Sequence, residues 1–288
     1  MDTKYIVNLS GGKDSTAMLL MLLEKGCPVD YILFADTGKD FPQMQEHLRK
    51  LAEYIKEHHP TAPEITILKH EKGFDYMMFE HRKCRGKYKD TPGNGWASFR
   101  NRWCTSRLKL DVIYKYCKTL ACDCVHYIGI AADEPGRLKD DPHLIYPLAQ
   151  WEITEKEALT YCYTRGFDWG GLYKHFDRVS CWCCPLQPLD ALRVLRREYP
   201  ELWKDLLEMD ARACNQFKPG YTVAELDERF RREDAGELKV KQRRKAKSQT
   251  AKKIKKENNH EQRNQDLETA TSPLYGSEER PCRQRADV

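Results

Sequence analysis

The apolar positions of the chain follow two spacings, and they take turns. Lys4 to Leu9 (KYIVNL) is a short β-branched run that reads as a strand. The glycine-containing turn Ser10-Gly11-Gly12 follows, and Ala17 to Leu23 is then apolar on nearly every side, as a buried helix is. Asp30 to Ala35 (DYILFA) repeats the strand pattern. Phe41 to Glu57 reads as a polar helix with apolar residues at Met44, Leu48, Leu51 and Ile55, which fall at helical spacing. Ile65 to Leu68 predicts a third strand, Leu110 to Leu120 a further helix and Val125 to Ile130 a further strand. Strands separated by helices predict an α/β fold with a doubly wound parallel sheet.

Residues 70 to 108 break that rhythm with charges, with Gly86, Pro92, Gly93 and Gly95, and with Trp96, Phe99 and Trp103; the expectation is a long functional loop. Thr154-Glu-Lys-Glu157 is a capping-box pattern opening a helix that should stop near Gly166, and Thr222-Val-Ala-Glu225 repeats it. Between them Leu189 to Arg197 and Glu201 to Ala213 read as amphipathic helices. The predicted organisation is an α/β domain over residues 1–150, a helical subdomain over 151–238 and a disordered basic tail over 239–288.

Charge adds one feature to this picture. The chain of 288 residues carries 49 Lys+Arg against 44 Asp+Glu, but Lys239 to Lys256 alone holds 10 basic residues and no acid. A basic tail on a nearly neutral globule is either a solvated run or a salt-dependent contact for nucleic acid. With 40% hydrophobic residues the remainder can bury a core. No run approaches the ~20 apolar residues of a membrane span, and Met1 to Tyr5 lack a signal-peptide layout, so a soluble, cytoplasmic protein is expected, with its twelve cysteines reduced.

The strongest local signal is Ser10-Gly11-Gly12-Lys13-Asp14-Ser15-Thr16, directly after a strand and directly before a helix. Glycines let backbone approach an anion, free amides at a helix N-terminus point toward it, and the hydroxyls and Lys13 add donors and charge. A Walker A loop is excluded, because Val7 stands where that pattern needs glycine. In open parallel sheets ligands bind beyond the carboxyl ends of strands, where Ser10, Asp36 and Gly129 should converge. Asp36, in Asp36-Thr37-Gly38, is either an acceptor for ribose or adenine or a turn-former. Arg107, Lys109 and Arg137 are candidate phosphate contacts or ordinary surface charge.

A second signal is Cys181-Trp-Cys183-Cys184-Pro185, with Cys104 lying 77 residues before it beside Trp103. Such spacing suits an iron–sulfur cluster or zinc, and equally buried thiols without a ligand. Cys84 is a further candidate ligand. Cys27, Cys117, Cys122, Cys124, Cys162 and Cys214 read as packed small residues.

These motifs resemble those of the adenine-nucleotide α-hydrolase superfamily, which contains N-type ATP pyrophosphatases and phosphoadenosine-phosphosulfate (PAPS) reductases. Ser10 to Ser15 is similar to its SGGxDS pyrophosphate loop. Phe34-Ala-Asp36-Thr-Gly38, Cys104-Thr-Ser-Arg107-Leu-Lys109, Gly129 to Glu134 with Arg137, and Tyr146-Pro-Leu148 follow in the order of the PAPS reductase branch, over residues 4 to 215. The resemblance implies that Ser10, Gly11, Gly12, Ser15 and Thr16 hold phosphate or sulfate oxygens. It also implies that Asp36, Thr37, Gly38, Gly129, Glu134 and Arg137 surround the nucleotide, and that Lys13, Asp14, Arg107 and Lys109 serve catalysis. Reductases of adenylyl sulfate and several sulfur-transfer relatives carry a 4Fe-4S cluster on a Cys-Cys pair and a C-x-x-C; here the implied ligands are Cys104, Cys181, Cys183 and Cys184, with Trp103 in place of the first cysteine. Two departures count against reduction of PAPS itself. Nothing matches the reductases' nucleophilic Glu-Cys-Gly tail, for which Cys282 is a weak substitute, and their Gly-x-Arg is Gly129-Ile130-Ala131 here. The resemblance thus implies ATP cleavage between the α and β phosphates, with magnesium, coupled to sulfur transfer. Two alternatives stand beside it: a reductase forming sulfite with an electron donor protein, and a nucleotide-regulated nucleic-acid-binding protein.

Overall fold

The computed structural model describes residues 3–83 and 89–240. Cys84, Cys282 and all but the first two residues of the basic tail, together with the expectations placed on them, lie outside the described residues. Residues Met1–Arg232 form one compact unit.

The strands are β1 (Thr3–Leu9), β2 (Tyr31–Asp36), β3 (Ile65–Lys69), β4 (Asp123–Ile128) and β5 (Leu144–Ile145). They form one sheet in the order β3-β2-β1-β4-β5, and every pair is parallel. The chain therefore winds outward from β1 through β2 to β3, then crosses back to lay β4 on the other side of β1. That reversal makes the gap between the carboxyl ends of β1 and β4 the switch point at which open α/β sheets bind ligands.

Helices α1 (Lys13–Glu24) and α2 (Pro42–His58) match the periodicity of the sequence. The 70–108 segment contains helix as well as loop: α3 (Gly73–Phe79) and the single turn α4 (Trp103–Thr105). Ser106–Leu110 continues α4 as a π-helical stretch into α5 (Asp111–Thr119). The short α6 (Pro147–Gln150) precedes α7 (Glu155–Thr164), and α8 (Leu172–His175), α9 (Leu189–Glu198), α10 (Pro200–Arg212) and α11 (Val223–Asp234) complete the set. Both capping boxes form: Glu157 Oε2 accepts from Thr154 N at 2.8 Å, and Glu225 Oε2 from Thr222 N at 2.7 Å.

Strand alternation divides the core in two. Val7, Ile32 and Phe34 face the larger cluster with α1 and α2, and Ile6 and Leu33 face a smaller one with Cys117 of α5. The larger cluster is continuous with Leu192, Trp203, Leu206 and Phe217, so the helical segment shares its core with the sheet. No helix among the described residues is long and apolar enough to cross a membrane.

One polar pair sits inside that core. His47 on α2 lies 3.0 Å from Thr16 Oγ1 and stacks on Trp169 with ring centroids 4.5 Å apart. Burial, reinforced by Lys50, holds its imidazole at about 4, below its ordinary 6.5. As pH falls through 6.5 the unfolded chain takes up the proton first. The stabilisation is therefore complete above 6.5 and is lost on the way down to 4, amounting to roughly 3 kcal/mol. Denaturant titrations of the wild type should show that loss between pH 6.5 and 4, and His47→Gln, which keeps a partner for Thr16, should remove that part of the slope. Identical slopes would contradict this role.

Candidate nucleotide site

The Ser10–Thr16 loop stands at the switch point, and its shape is fixed from inside and outside. Within it, Ser15 Oγ donates to Gly12 O at 3.1 Å, accepts from Ser10 N at 3.1 Å and lies 2.9 Å from Ser10 Oγ. Gly11 has φ +75°, and a Cβ there would meet Met44 Sδ at 2.5 Å, so α2 packs directly beneath the turn. Gly129 backs the loop from β4: a Cβ would come within 2.8 Å of Ser15 Cα and 2.9 Å of Ser15 N. Gly129 thus lets the loop's backbone lie directly on the end of β4.

Three side chains that sequence reasoning did not single out for this site hold the loop from about 150 residues further along the chain. Trp169 Nε1 donates to Gly11 O at 2.7 Å, Tyr173 Oη accepts from Lys13 N at 2.8 Å, and Cys162 Sγ donates to Lys13 O at 3.5 Å. Trp169 does so from φ +52°, a conformation few non-glycine residues adopt; it is buried, and packing against His47 and Tyr173 over-determines it. Burial pushes the Cys162 thiol up to about 12, so it is a neutral donor.

Lys13 is engaged by two carboxylates beside the loop. Its ammonium is buried and pairs with Asp14 at 2.9 Å and Glu155 at 3.4 Å. Burial raises the Asp14 carboxyl, against the pull of Lys13. Arg178 and Glu134 also face Asp14, and Arg178 pairs with Glu134 at 3.3 Å while Arg137 pairs with it from the other side. A guanidinium that no motif indicated thus stands beside the loop, in a chain whose Gly129-Ile130-Ala131 lacks one.

At the end of β2, Asp36 is buried and engaged at both oxygens: Oδ1 accepts from Gly38 N at 2.7 Å, and Oδ2 pairs with Lys69 at 2.9 Å. The same turn meets the cysteine segment. Trp182 N donates to Lys39 O at 3.0 Å, and Cys181 Sγ lies 3.6 Å from Thr37 Oγ1 and 3.8 Å from Asp40 Oδ1. Lys109 reaches this place from the π-helical stretch. Burial pulls its ammonium down, but Cys181, Asp40, Cys104 and Cys184 around it outweigh burial and hold it above its ordinary range. Burial pushes Cys181 up to about 12 and raises Cys183 and Cys184 as well. The Asp40 carboxyl is raised by burial too, and its Oδ2 is buried without a hydrogen-bond partner.

The fold therefore gathers Cys104, Cys181 and Cys184 around one ammonium. Among the described residues no three His, Cys, Asp or Glu side chains form a group placed to hold a metal ion. Arg107, two residues before Lys109, is exposed, pairs with Asp111 at 2.9 Å and lines a separate cleft whose walls include no residue of the loop.

All of these loop, turn and cysteine positions fall within residues 4–187, which match the phosphoadenosine phosphosulfate reductase domain, and the chain belongs to that family. Among curated proteins it is similar to the uncharacterized protein MJ0066 of Methanocaldococcus jannaschii, 25% identical over 213 residues that cover 69% of this chain and 40% of the relative. A second protein of that organism, MJ0973, is 24% identical over 222 residues, 71% of this chain and 48% of the relative. The uncharacterized nin region protein ORF290 of Escherichia phage lambda is 31% identical over 177 residues, 54% of this chain and 57% of the relative. The chain spans about half the length of the curated relatives it matches. The solved structure of the U34-tRNA thiolase NcsA from Methanococcus maripaludis with its 4Fe-4S cluster is similar at 18% identity over 80% of this chain and 71% of that one, with a TM-score of 0.37, too slight a likeness to bear on the chemistry.

The close seat of Ser15 on Gly129 generates a direct test. In Gly129→Ala the methyl has only backbone to displace, so a loss of about 1–3 kcal/mol of stability is expected, with the loop pushed off the strand. The melting-temperature rise given by ATP should shrink with it; a variant that melts and responds like the wild type would contradict this packing.

Proposed function

We propose that the protein cleaves ATP between its α and β phosphates, transferring the adenylyl group to an acceptor oxygen that a sulfur nucleophile then displaces. What carries this reading is the Ser10–Thr16 loop: a hydroxyl-rich turn held from several directions at the switch point of a parallel sheet. Donors fixed before the reaction stabilise charge on departing pyrophosphate without having to reorganise. The acceptor oxygen bonds to the α phosphorus as the α–β bridge breaks, and the bridging electron pair leaves with pyrophosphate. ATP enters as its magnesium complex, so the metal belongs to the substrate.

Each neighbourhood then has a part in this reaction. Ser10, Gly11, Gly12, Ser15 and Thr16 receive the β and γ phosphates. Arg178, held by Glu134 beside Asp14, supplies the guanidinium that lies outside the family's usual position. Asp36, Thr37 and Gly38 shape the turn that bounds the adenosine. Lys109 holds sulfur, at the oxidation level of sulfide, in anionic form among Cys104, Cys181 and Cys184. Attack of that sulfur on the adenylated carbon expels AMP, and the two steps together need no net oxidant or reductant.

Ser15 is the residue to change, because its hydroxyl both donates and accepts within the loop. Pyrophosphate release from magnesium ATP should fall on the order of 10²-fold in Ser15→Ala, while the melting temperature drops by only a few degrees. No release by the wild type with any acceptor, or sulfite formed from adenylyl sulfate and reduced thioredoxin in its place, would overturn the proposal.

A further inference from the structure

A cleft away from the loop stands on the same side of the sheet's carboxyl edge. It encloses about 720 Å³ beyond the end of β3, and its walls carry Lys72, Lys83, Arg107 and Lys115 together with His70 and His81. Two acids line it, Glu71 and Asp111, and Asp111 is tied to Arg107. The wall continues into a surface with the same bias: from residue 98 to 118 the chain has six Lys or Arg and one acid. Apolar side chains stand out from that surface, Phe99 at 87% exposure, Tyr114 at 60% and Leu110 at 59%. Phe99 lies in the turn closed by reciprocal Ser98–Asn101 backbone bonds, beside exposed Arg100 and Arg102, and Asn101 reaches the cleft. Aromatic rings already accept cations here: Lys72 lies 4.6 Å over Tyr76, and Lys118 4.6 Å over Tyr114.

We infer that this cleft and its arginine–aromatic rim bind a single-stranded polynucleotide, with phosphates in the cleft and unpaired bases on Phe99 and Tyr114. A lone phosphate would not use so large a space. An acidic peptide would be served by the cations but would leave the exposed rings unused, whereas a base stacks on any ring and its phosphate follows the charge. A duplex keeps its bases stacked inside and offers the rings nothing. The segment from Trp103 to Asp111 connects this surface with the site already described: Trp103, Ser106, Arg107 and Asp111 line the cleft, while Cys104 and Lys109 lie in the thiol cluster. Its π-helical turn, a feature often found at functional sites, offsets one set from the other. The polynucleotide would thus be the acceptor in the reaction proposed above. That last step rests on the proposed function; the binding does not.

The test is fluorescence anisotropy with the full chain, no ATP, and labelled oligouridylate or oligodeoxythymidylate of about 12 nucleotides. Every variant keeps the basic segment 239–256, so any affinity it lends is a common background. Phe99→Ala should weaken binding at least about fivefold yet leave an abasic oligomer of equal length unaffected. Lys72→Ala with Lys115→Ala, both at exposed positions, should flatten the dependence of log affinity on log salt by about 1.4. An effect in either the RNA or the DNA arm supports the proposal and names the polynucleotide. Wild-type affinity and salt slope in both variants, or equal binding of polyglutamate, would overturn it. Should pyrophosphate release fail while these differences persist, the proposed reaction falls and this surface stands.

Discussion

The hydrogen bond from Trp169 Nε1 to Gly11 O joins residues 158 positions apart, and the geometry of the nucleotide site depends on it. Gly11 is in a left-handed turn that could relax in a free loop; here its carbonyl is held by a buried indole, Met44 packs under its α-carbon and Ser15 rests on Gly129. Trp169 in turn sits in an unfavourable backbone conformation, kept there by stacking on His47, which also contacts Thr16. Loop, second helix and distant turn are thus one packed unit. A loop fixed in this way can present donors to charge that develops only during a reaction.

Much of this was legible from local pattern. The first four strands, the loop and the two capping boxes all depend on residues within a few positions of one another, and they form close to where the sequence puts them, whereas the two-residue β5 is too short to show a pattern. What escaped was long-range. Trp169, Tyr173 and Cys162 carry no spacing that relates them to Gly11 or Lys13, because their partners lie about 150 residues away in a turn that only the finished sheet brings near. Lys13 looked like a phosphate contact by its place in the motif. Its buried ammonium also pairs with Asp14 and with Glu155, a residue brought there by the packing of α7 on α1. Helix α3 was hidden because Gly73-Phe-Asp-Tyr-Met-Met-Phe79 is too short to show a period.

Charge is distributed with the same economy of elements. The ends of β1 and β4 meet polar donors and the Arg178–Glu134 pair, the end of β2 meets the cysteine segment and Lys109, and the end of β3 opens into a cationic cleft. One short segment, Trp103 to Asp111, borders the last two. Three neighbouring strand ends therefore present three kinds of surface in a row: a hydroxyl-rich loop, a thiol-lined turn and a cationic cleft.

The claim on which the account turns is that the clamped loop binds phosphate oxyanions of an adenine nucleotide. Calorimetric titration of magnesium ATP and of adenosine into the wild type and Trp169→Phe tests it most directly. The account predicts at least about tenfold tighter binding of ATP than of adenosine, a difference of ~1.4 kcal/mol, and collapse of that difference when the indole donor is removed. Equal affinity for the two ligands in the wild type, or an undiminished preference in the variant, would contradict it.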